Sequence, residues 1–595
     1  MDTSCKEQAV SIRTLYSVCR SFDSLLENTL GPNGKSALLN TPTGQVLITD
    51  VGYTILRCMN IGHPLGTMIV KSIGTHHSYT GDGSKTFMLY LTSIFSSVAN
   101  FADERVSISE LEQRNSLACA VHYIRSQLFS DVLTPAVRRN CSVIDICENK
   151  NATVTVMHNL VKSHLCGKYT EAIQSCLSHL LVDFLCSGVT DFQSLSAEIS
   201  ICIENFNLLC VDVDCMLPLT SYIYEGIVIQ RDFLYFHHSP PQCCARFILL
   251  HKSFAKGSGT GEFSSTFEAK DMLSLDKAVM WKSQWSTALV DWLRKNNVNL
   301  ILSAGCIDDT LHTLCTKAGI SMVQFVDEED FERLKMLFHI TALEFVSDLS
   351  EVKSDDFIGC SDICKAKVFG QKRFVCLKFP AVDHKHSHSP TQYDPVEGLH
   401  AARKFHAYRE CVKRQLIICG MSAGACQQIR LDLLHALKTL RLWLDCKRLN
   451  IEVSHCSAVH IPGGGSFELI CYNAFQDFMK QNALQLSTHL TACCEALCAA
   501  FLAVPLRLLH NSFQPKLATV LYIKEMIKSS LANGTNIYGF SGCSGRQLHV
   551  NTSIIEPLMA KILVVDHVLE LTEQLLRIDS LLRVKKSVPK SLSKE

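Results

Sequence analysis

Three small-residue loops, each set against a long apolar helical run, constrain this chain most. They are Tyr79-Thr80-Gly81-Asp82-Gly83-Ser84-Lys85-Thr86, Gly31-Pro32-Asn33-Gly34-Lys35-Ser36 and Pro462-Gly463-Gly464-Gly465. Glycine lets backbone approach a ligand closely, and amides stacked at a helix start attract phosphate. Two of these loops lie near one end of the chain and the third near the other. A single nucleotide pocket built by bringing the two ends together is the economical reading.

With 595 residues, the chain is long enough for roughly four domains by the length prior. Its 57 basic and 57 acidic residues balance, which argues against nucleic-acid binding driven by excess positive charge. At 47% hydrophobic it is too apolar to be disordered. The 29 cysteines are scattered, mostly inside apolar runs. Asp2, Lys6, Glu7 and Arg13 interrupt any secretory leader. The most apolar stretch, Leu490 to Leu509, contains Glu495, Pro505 and Arg507 and reads as a buried helix rather than a transmembrane segment. The expectation is an intracellular protein with reduced thiols.

Residues 9–30 carry Leu15, Val18, Phe22, Leu25 and Leu26 at helical spacing, ending at Gly31-Pro32. Ser36 to Leu39 and Gln45 to Thr49 read as short strands, and helices are expected from Met68 and over Thr86 to Ala99. The middle changes texture. Leu208 to Val213, Gly226 to Gln230, Phe247 to His251, Leu300 to Ser303 and Ser321 to Phe325 read as strands. Trp285 to Lys295 and Asp308 to Ala318 read as helices between them, which predicts an α/β layer with parallel strands. Residues 381–412 are interrupted by His and Pro and read as an exposed loop. A last helix is predicted through Val564, Val568, Leu571, Leu575, Ile578 and Leu582. The order helical, mixed, α/β, mixed, helical predicts nested domains.

Alone, each motif is weak. Gly34-Lys35-Ser36 resembles the end of a Walker A loop, but Thr29 stands where that motif needs glycine. A helix cap and turn explain Gly34 as well. Gly81-Asp82-Gly83 alone reads as a tight turn plus N-cap. Asp383-His384-Lys385-His386-Ser387-His388 alternates histidines but has no second ligand cluster, so a solvated loop outweighs a metal site. Cys493, Cys494 and Cys498, and Cys360 with Cys364, lack paired zinc spacing and read as buried thiols.

In combination the loops are distinctive. Leu30-Gly31-Pro32-Asn33-Gly34, Thr49-Asp50-Val51-Gly52, Gly81-Asp82-Gly83-Ser84-Lys85-Thr86 and Pro462-Gly463-Gly464-Gly465 follow one another as in group II chaperonins. Asn297 to Leu302, Asp330-Phe331-Glu332-Arg333-Leu334, Ile554-Ile555-Glu556-Pro557-Leu558 and Leu575 to Asp579 extend the resemblance over nearly the whole chain. His63-Pro64 and Ile461 to Glu468 sharpen it toward the Bardet–Biedl chaperonin-like branch of that family.

The resemblance implies an α/β multidomain chaperonin fold. A mostly helical equatorial domain would comprise 1–145 and 446–595, a small intermediate domain 146–228 and 366–445, and an inserted α/β apical domain 229–365. It implies a pocket for ATP and Mg²⁺, with no other cofactor. The nucleotide contacts would be Leu30, Gly31, Pro32, Gly34, Asp82, Gly83, Ser84, Lys85, Thr86, Gly463, Gly464 and Gly465, with Asp82 on the metal. Two aspartates that working chaperonins use for hydrolysis align with Val51 and His435, and a ribose-side aspartate aligns with Leu548. Asp50, on an extended segment, is expected to point away, and Asp432, one helical turn or about 5 Å from the lost position, is a candidate to substitute for it. Weak or absent hydrolysis is the expectation. Lys85 has two readings, a charge against phosphate or a surface lysine. Further implied are assembly of the BBSome, the coat complex for ciliary membrane-protein traffic, with other Bardet–Biedl chaperonin-like proteins and cytosolic chaperonin subunits. The implied locations are the cytoplasm, centrosome or basal body, and cilium. An ATP-hydrolysing subunit that folds cytosolic clients is the alternative.

Overall fold

The computed structural model describes residues 5–31, 33–40, 46–104, 109–187, 194–237, 245–251, 272–338, 340–344, 356–378, 412–445, 457–511, 539–540, 547–548 and 554–584. The chain divides into two units. One is formed by its two ends, Met1–Ser178 with Asp432–Glu595, and the other by His179–Leu431.

The first unit is helical because its long segments repeat apolar residues at three- and four-residue spacing. Ser84–Asp103 runs through its centre, burying Phe87, Met88, Tyr90, Leu91, Ile94, Phe95 and Val98 on several faces. Ile12–Leu26, Glu110–Tyr123, Thr488–His510 and Leu558–Leu576 contribute to the same core. Thr488–His510 is long and apolar enough to cross a membrane by length and composition. Here Cys494, Ala496, Leu497, Phe501 and Val504 are buried in that core. Small sheets fasten the periphery: Ser457–Pro462 pairs antiparallel with Ile555–Pro557 on one side and Ser142–Asp145 on the other.

The predicted last helix is too long. It ends at Leu576, and Ser580–Val584 is instead a strand paired antiparallel with Cys5–Ala9. Ile578 and Leu582 continue the apolar rhythm, but the backbone beyond Arg577 is recruited by a partner strand from the start of the chain.

The second unit carries a four-stranded sheet in the order Ser321–Val323, Leu300–Ser303, Ala245–Leu250, Gly359–Ser361. The first three are parallel and the last antiparallel. Leu300, Ile301 and Leu302 are all buried, as a parallel strand covered on both faces requires. Met272–Lys295, Asp309–Ala318 and Glu328–Phe338 supply the helices of this layer. Two three-stranded sheets complete the unit, one of them joining Cys210–Val213 and Arg414–Cys419 in parallel.

Candidate functional site

Glycine geometry builds the site. Pro64–Thr80 stops at Gly81, whose φ of +77° only glycine adopts freely, and whose N–H donates to the His77 carbonyl at 2.8 Å. A β-carbon there would lie 3.0 Å from the His435 carbonyl, so the loop is pressed against the Ala423–Leu444 helix. Gly83 (φ +83°) caps the start of Ser84–Asp103, and Gly465 (φ +87°) caps Ser466–Gln481; neither cap makes a side-chain hydrogen bond. Two helix N-termini with their partial positive charge therefore lack a side-chain cap beside one cavity of about 260 Å³.

Leu30, Gly31, Asp82, Gly83, Ser84, Lys85 and Thr86 line this cavity together with Gly464 and Gly465. The loops from the two ends of the sequence do meet. Gly34 and Gly463 are not among the lining residues. The Gly34 N–H closes a turn onto the Gly31 carbonyl at 2.9 Å, and the Gly463 N–H donates to the Ile554 carbonyl at 3.0 Å. Pro32 and the histidine tract 383–388 lie outside the described residues, as does the Leu548 side chain.

Asp82 presents its carboxylate to the cavity, with the side chain 74% exposed there. Its Oδ1 accepts from the Gly83 N–H at 2.7 Å, and its Oδ2 stands 3.8 Å from His164 Nδ1. Enclosure by the surrounding residues raises its pKa, but His164, Lys168, the Gly83 N–H and Lys85 together outweigh that and hold it below the usual carboxylate range. Burial pushes His164 itself down to about 4, so near neutral pH the lysines and the amide carry the effect. An ionised carboxylate with an exposed oxygen, beside backbone amides, fits a magnesium–phosphate group. When bound, such a group would supply charge neutralisation between Asp82 and the phosphate oxygens.

Three expectations change. Asp50 does not point away: it lines the cavity, and its Oδ2 lies 3.5 Å from Lys85 Nζ. The strand ends at Thr49 and Val51 caps the short Gly52–Arg57 helix, so strand alternation no longer governs Asp50. Lys85 is not a surface lysine; its side chain is 18% exposed and its Nζ donates to the Thr29 carbonyl at 2.7 Å. Burial lowers its pKa, partly offset by Asp50 and Asp82. Asp432 is buried with both oxygens engaged, Oδ1 by Lys168 Nζ at 2.8 Å and Oδ2 by the Tyr169 hydroxyl at 2.7 Å. Val51 and His435 do line the cavity.

Sequence reasoning missed His77, His164, Lys168, Glu556 and Lys561 as lining residues. Each is a single polar residue in or beside an ordinary helix or strand, and only Glu556 falls in a stretch that resembles the family, where the resemblance assigns it no role. His77 and His435 stack edge-on with ring centres 4.7 Å apart, and burial pushes them down to about 4 and about 2. Their rings are neutral at physiological pH.

Behind the loop, His76 Nδ1 lies 2.8 Å from His567 Nδ1. Burial first, then His567 and His77, push His76 from 6.5 down to about 3. The unfolded chain therefore takes up this proton before the native state does. Stability from this group is full above about pH 6.5 and falls as pH drops toward 3. By pH 5 the loss should reach roughly 2 kcal/mol. Urea midpoints at pH 7.5 and 5, taken in chelator, should show it, and His76→Gln should shrink the difference by about that amount, the rest being due to His77, His164 and His435.

A model of the TCP-1/cpn60 chaperonin family matches residues 22–586. The chain belongs to that family. Among its relatives, this chaperonin is similar to the BBSome complex assembly protein BBS10 of Homo sapiens, 21% identical over 411 residues, 66% of this chain and 55% of the relative. The Mus musculus BBS10 is 24% identical over 422 residues, 67% of this chain and 57% of the relative. Thermosome subunit alpha of Halobacterium salinarum is 20% identical over 560 residues, 94% of this chain and 85% of the relative. The chaperonin thus spans little more than half the length of the BBS10 proteins it matches. Both resemblances read from the motifs, to group II chaperonins and to their Bardet–Biedl branch, are met by these relatives.

Proposed function

We propose that this chain is a chaperonin-like assembly protein with a nucleotide cradle and little or no ATP hydrolysis. One observation carries the reading: Asp82 and the glycine-capped helix starts keep a phosphate-type cavity, while Val51 and His435 line it where working chaperonins carry carboxylates. Asp432 cannot readily replace them, because Lys168 and Tyr169 hold both of its oxygens. Phosphoryl transfer depends on placed charge and placed water, so both losses act on the chemical step more than on binding.

The BBS10 relatives carry the name of BBSome assembly proteins. By that analogy, this chain promotes BBSome assembly for cilium biogenesis and ciliary trafficking, with other Bardet–Biedl chaperonin-like proteins and cytosolic chaperonin subunits as partners. It would act in the cytoplasm, at the centrosome or basal body and in the cilium. The ends of the chain form the equatorial domain, 146–228 and 366–445 the intermediate domain, and 229–365 the apical domain that recognises exposed apolar client surface.

The experiment is nucleotide-dependent stabilisation of the purified chain, run beside capture of BBSome subunits. MgATP or MgADP at a hundred times its Kd should stabilise the fold by roughly 3 kcal/mol, and Asp82→Ala should weaken that binding. BBSome subunits should be retained with or without hydrolysable nucleotide. The alternative, an ATP-hydrolysing subunit, is favoured by the near full-length match to thermosome subunits. Measurable turnover that disappears in Asp82→Ala would establish it instead.

A further inference from the structure

A second constellation lies beside the cradle. His164, near the end of the Lys150–Leu165 helix, meets Asp432 and His435 of the Ala423–Leu444 helix. All three are buried, and one potential ligand atom from each lies within 4.8 Å of the others. Asp432 and His435 are three residues apart, so they share one helix face. His164 Nδ1 is buried without a hydrogen-bond partner, on a side chain only 3% exposed. A buried nitrogen left unsatisfied costs free energy unless something occupies it.

Positive charge is already accommodated on Asp432, beside the other ring nitrogen of His164. Lys168 Nζ donates to Asp432 Oδ1 at 2.8 Å and lies 3.4 Å from His164 Nε2. Two imidazoles and one carboxylate form a donor set for a borderline ion such as zinc, and a poor one for the all-oxygen preference of magnesium. We propose that His164, Asp432 and His435 bind a divalent transition ion of the zinc class. The ion takes the place of the Lys168 ammonium on Asp432, while the Tyr169 hydroxyl on Oδ2 orients the carboxylate from the second shell. His164 and His435 both line the cavity, so a fourth coordination position opens toward it. This site does not depend on nucleotide binding.

The test is titration of the full chain, stripped by chelator, with Zn²⁺ against a chromophoric competitor and without nucleotide. One site is expected whose affinity falls more than about tenfold in His164→Ala and in His435→Ala, the scale that even outer-shell changes reach. Lys168→Met should bind the ion more tightly, since no ammonium competes. Replacing His384, His386 and His388 together by alanine should leave the site intact. Co²⁺ in the same site should give visible absorption that is lost in His435→Ala. Binding unaffected by both alanine variants, binding lost with the 384–388 tract, or no binding at all would overturn the assignment. If either alanine variant fails to fold, Lys168→Met decides: unchanged or weaker affinity rejects the site.

Discussion

Val51→Asp combined with His435→Asp should raise MgATP turnover at least about a hundredfold over the parent chain. The argument runs from what the cavity keeps to what it lacks. Asp82, Ser84, Lys85 and Gly465 line it, the residues that hold the phosphate chain in the proposed reading. Val51 and His435 line the same space, and neither brings a negative charge. A positioned carboxylate that orients water or metal contributes roughly 10² to 10⁴ in rate. Groups that act as one unit recover little when restored singly, so each single variant should gain less than the square root of the double variant's gain. His435→Asp also places a further carboxylate near Lys168, which already has Asp432, Asp50 and Asp82 around it. Steady-state phosphate release, with Asp82→Ala added to the double variant as the blank, measures the effect. If the double variant folds, binds nucleotide and turns over no faster than the parent, carboxylates at these two positions do not limit the rate and this prediction fails.

How much of this was legible depends on whether the signal was local. Gly81, Gly83, Gly464 and Gly465 need left-handed backbone at helix boundaries, and a glycine followed by an apolar helical run announces that. Asp82 could be read because it sits between two such glycines. Helices such as Ser84–Asp103 and strands such as Leu300–Ser303 followed directly from apolar period and β-branched or aliphatic runs. His164 and Lys168 could not be read: they meet the cavity through residues far away in sequence, Lys168 Nζ on Asp432 at 2.8 Å and the His164 ring against His435. The orientation of Asp50 was misread because strand alternation was extended two residues past the end of the strand. Leu582 was misread for a non-local reason as well. The strand that claims its backbone pairs with Cys5–Ala9, and no local periodicity registers a partner at the opposite end of the sequence.

Lys561→Met should destabilise the first unit by about 3–5 kcal/mol. Lys561 Nζ lies 3.1 Å from Glu468 Oε1 and 2.9 Å from Glu556 Oε2, and the Tyr90 hydroxyl donates to Glu468 Oε1 at 3.2 Å. Glu468 is fully buried, while the Glu556 side chain is 33% exposed. Two carboxylates thus share one ammonium in a largely water-free setting. Burial lowers the Lys561 pKa, but Glu468 and Glu556 more than reverse it and hold the lysine charged. Burial raises Glu556, with Lys561 pulling it back and Glu468 adding to the rise. Removing the ammonium leaves the buried charge uncompensated, which costs far more than the intact pair contributes. The variant should relieve itself by taking up a proton. A carboxyl whose folded pKa is raised binds a proton before its unfolded counterpart, so the destabilisation should shrink as pH falls from 8 toward 5. Glu556→Gln placed in the same chain should recover part of the loss at pH 8 and little at pH 5. Urea midpoints of the four-member cycle at both pH values measure this coupling. Because Glu556 and Lys561 also line the cavity, the same variants should alter nucleotide affinity there. A cycle that shows additive losses, with no pH dependence, would mean that the three charges do not act as one unit.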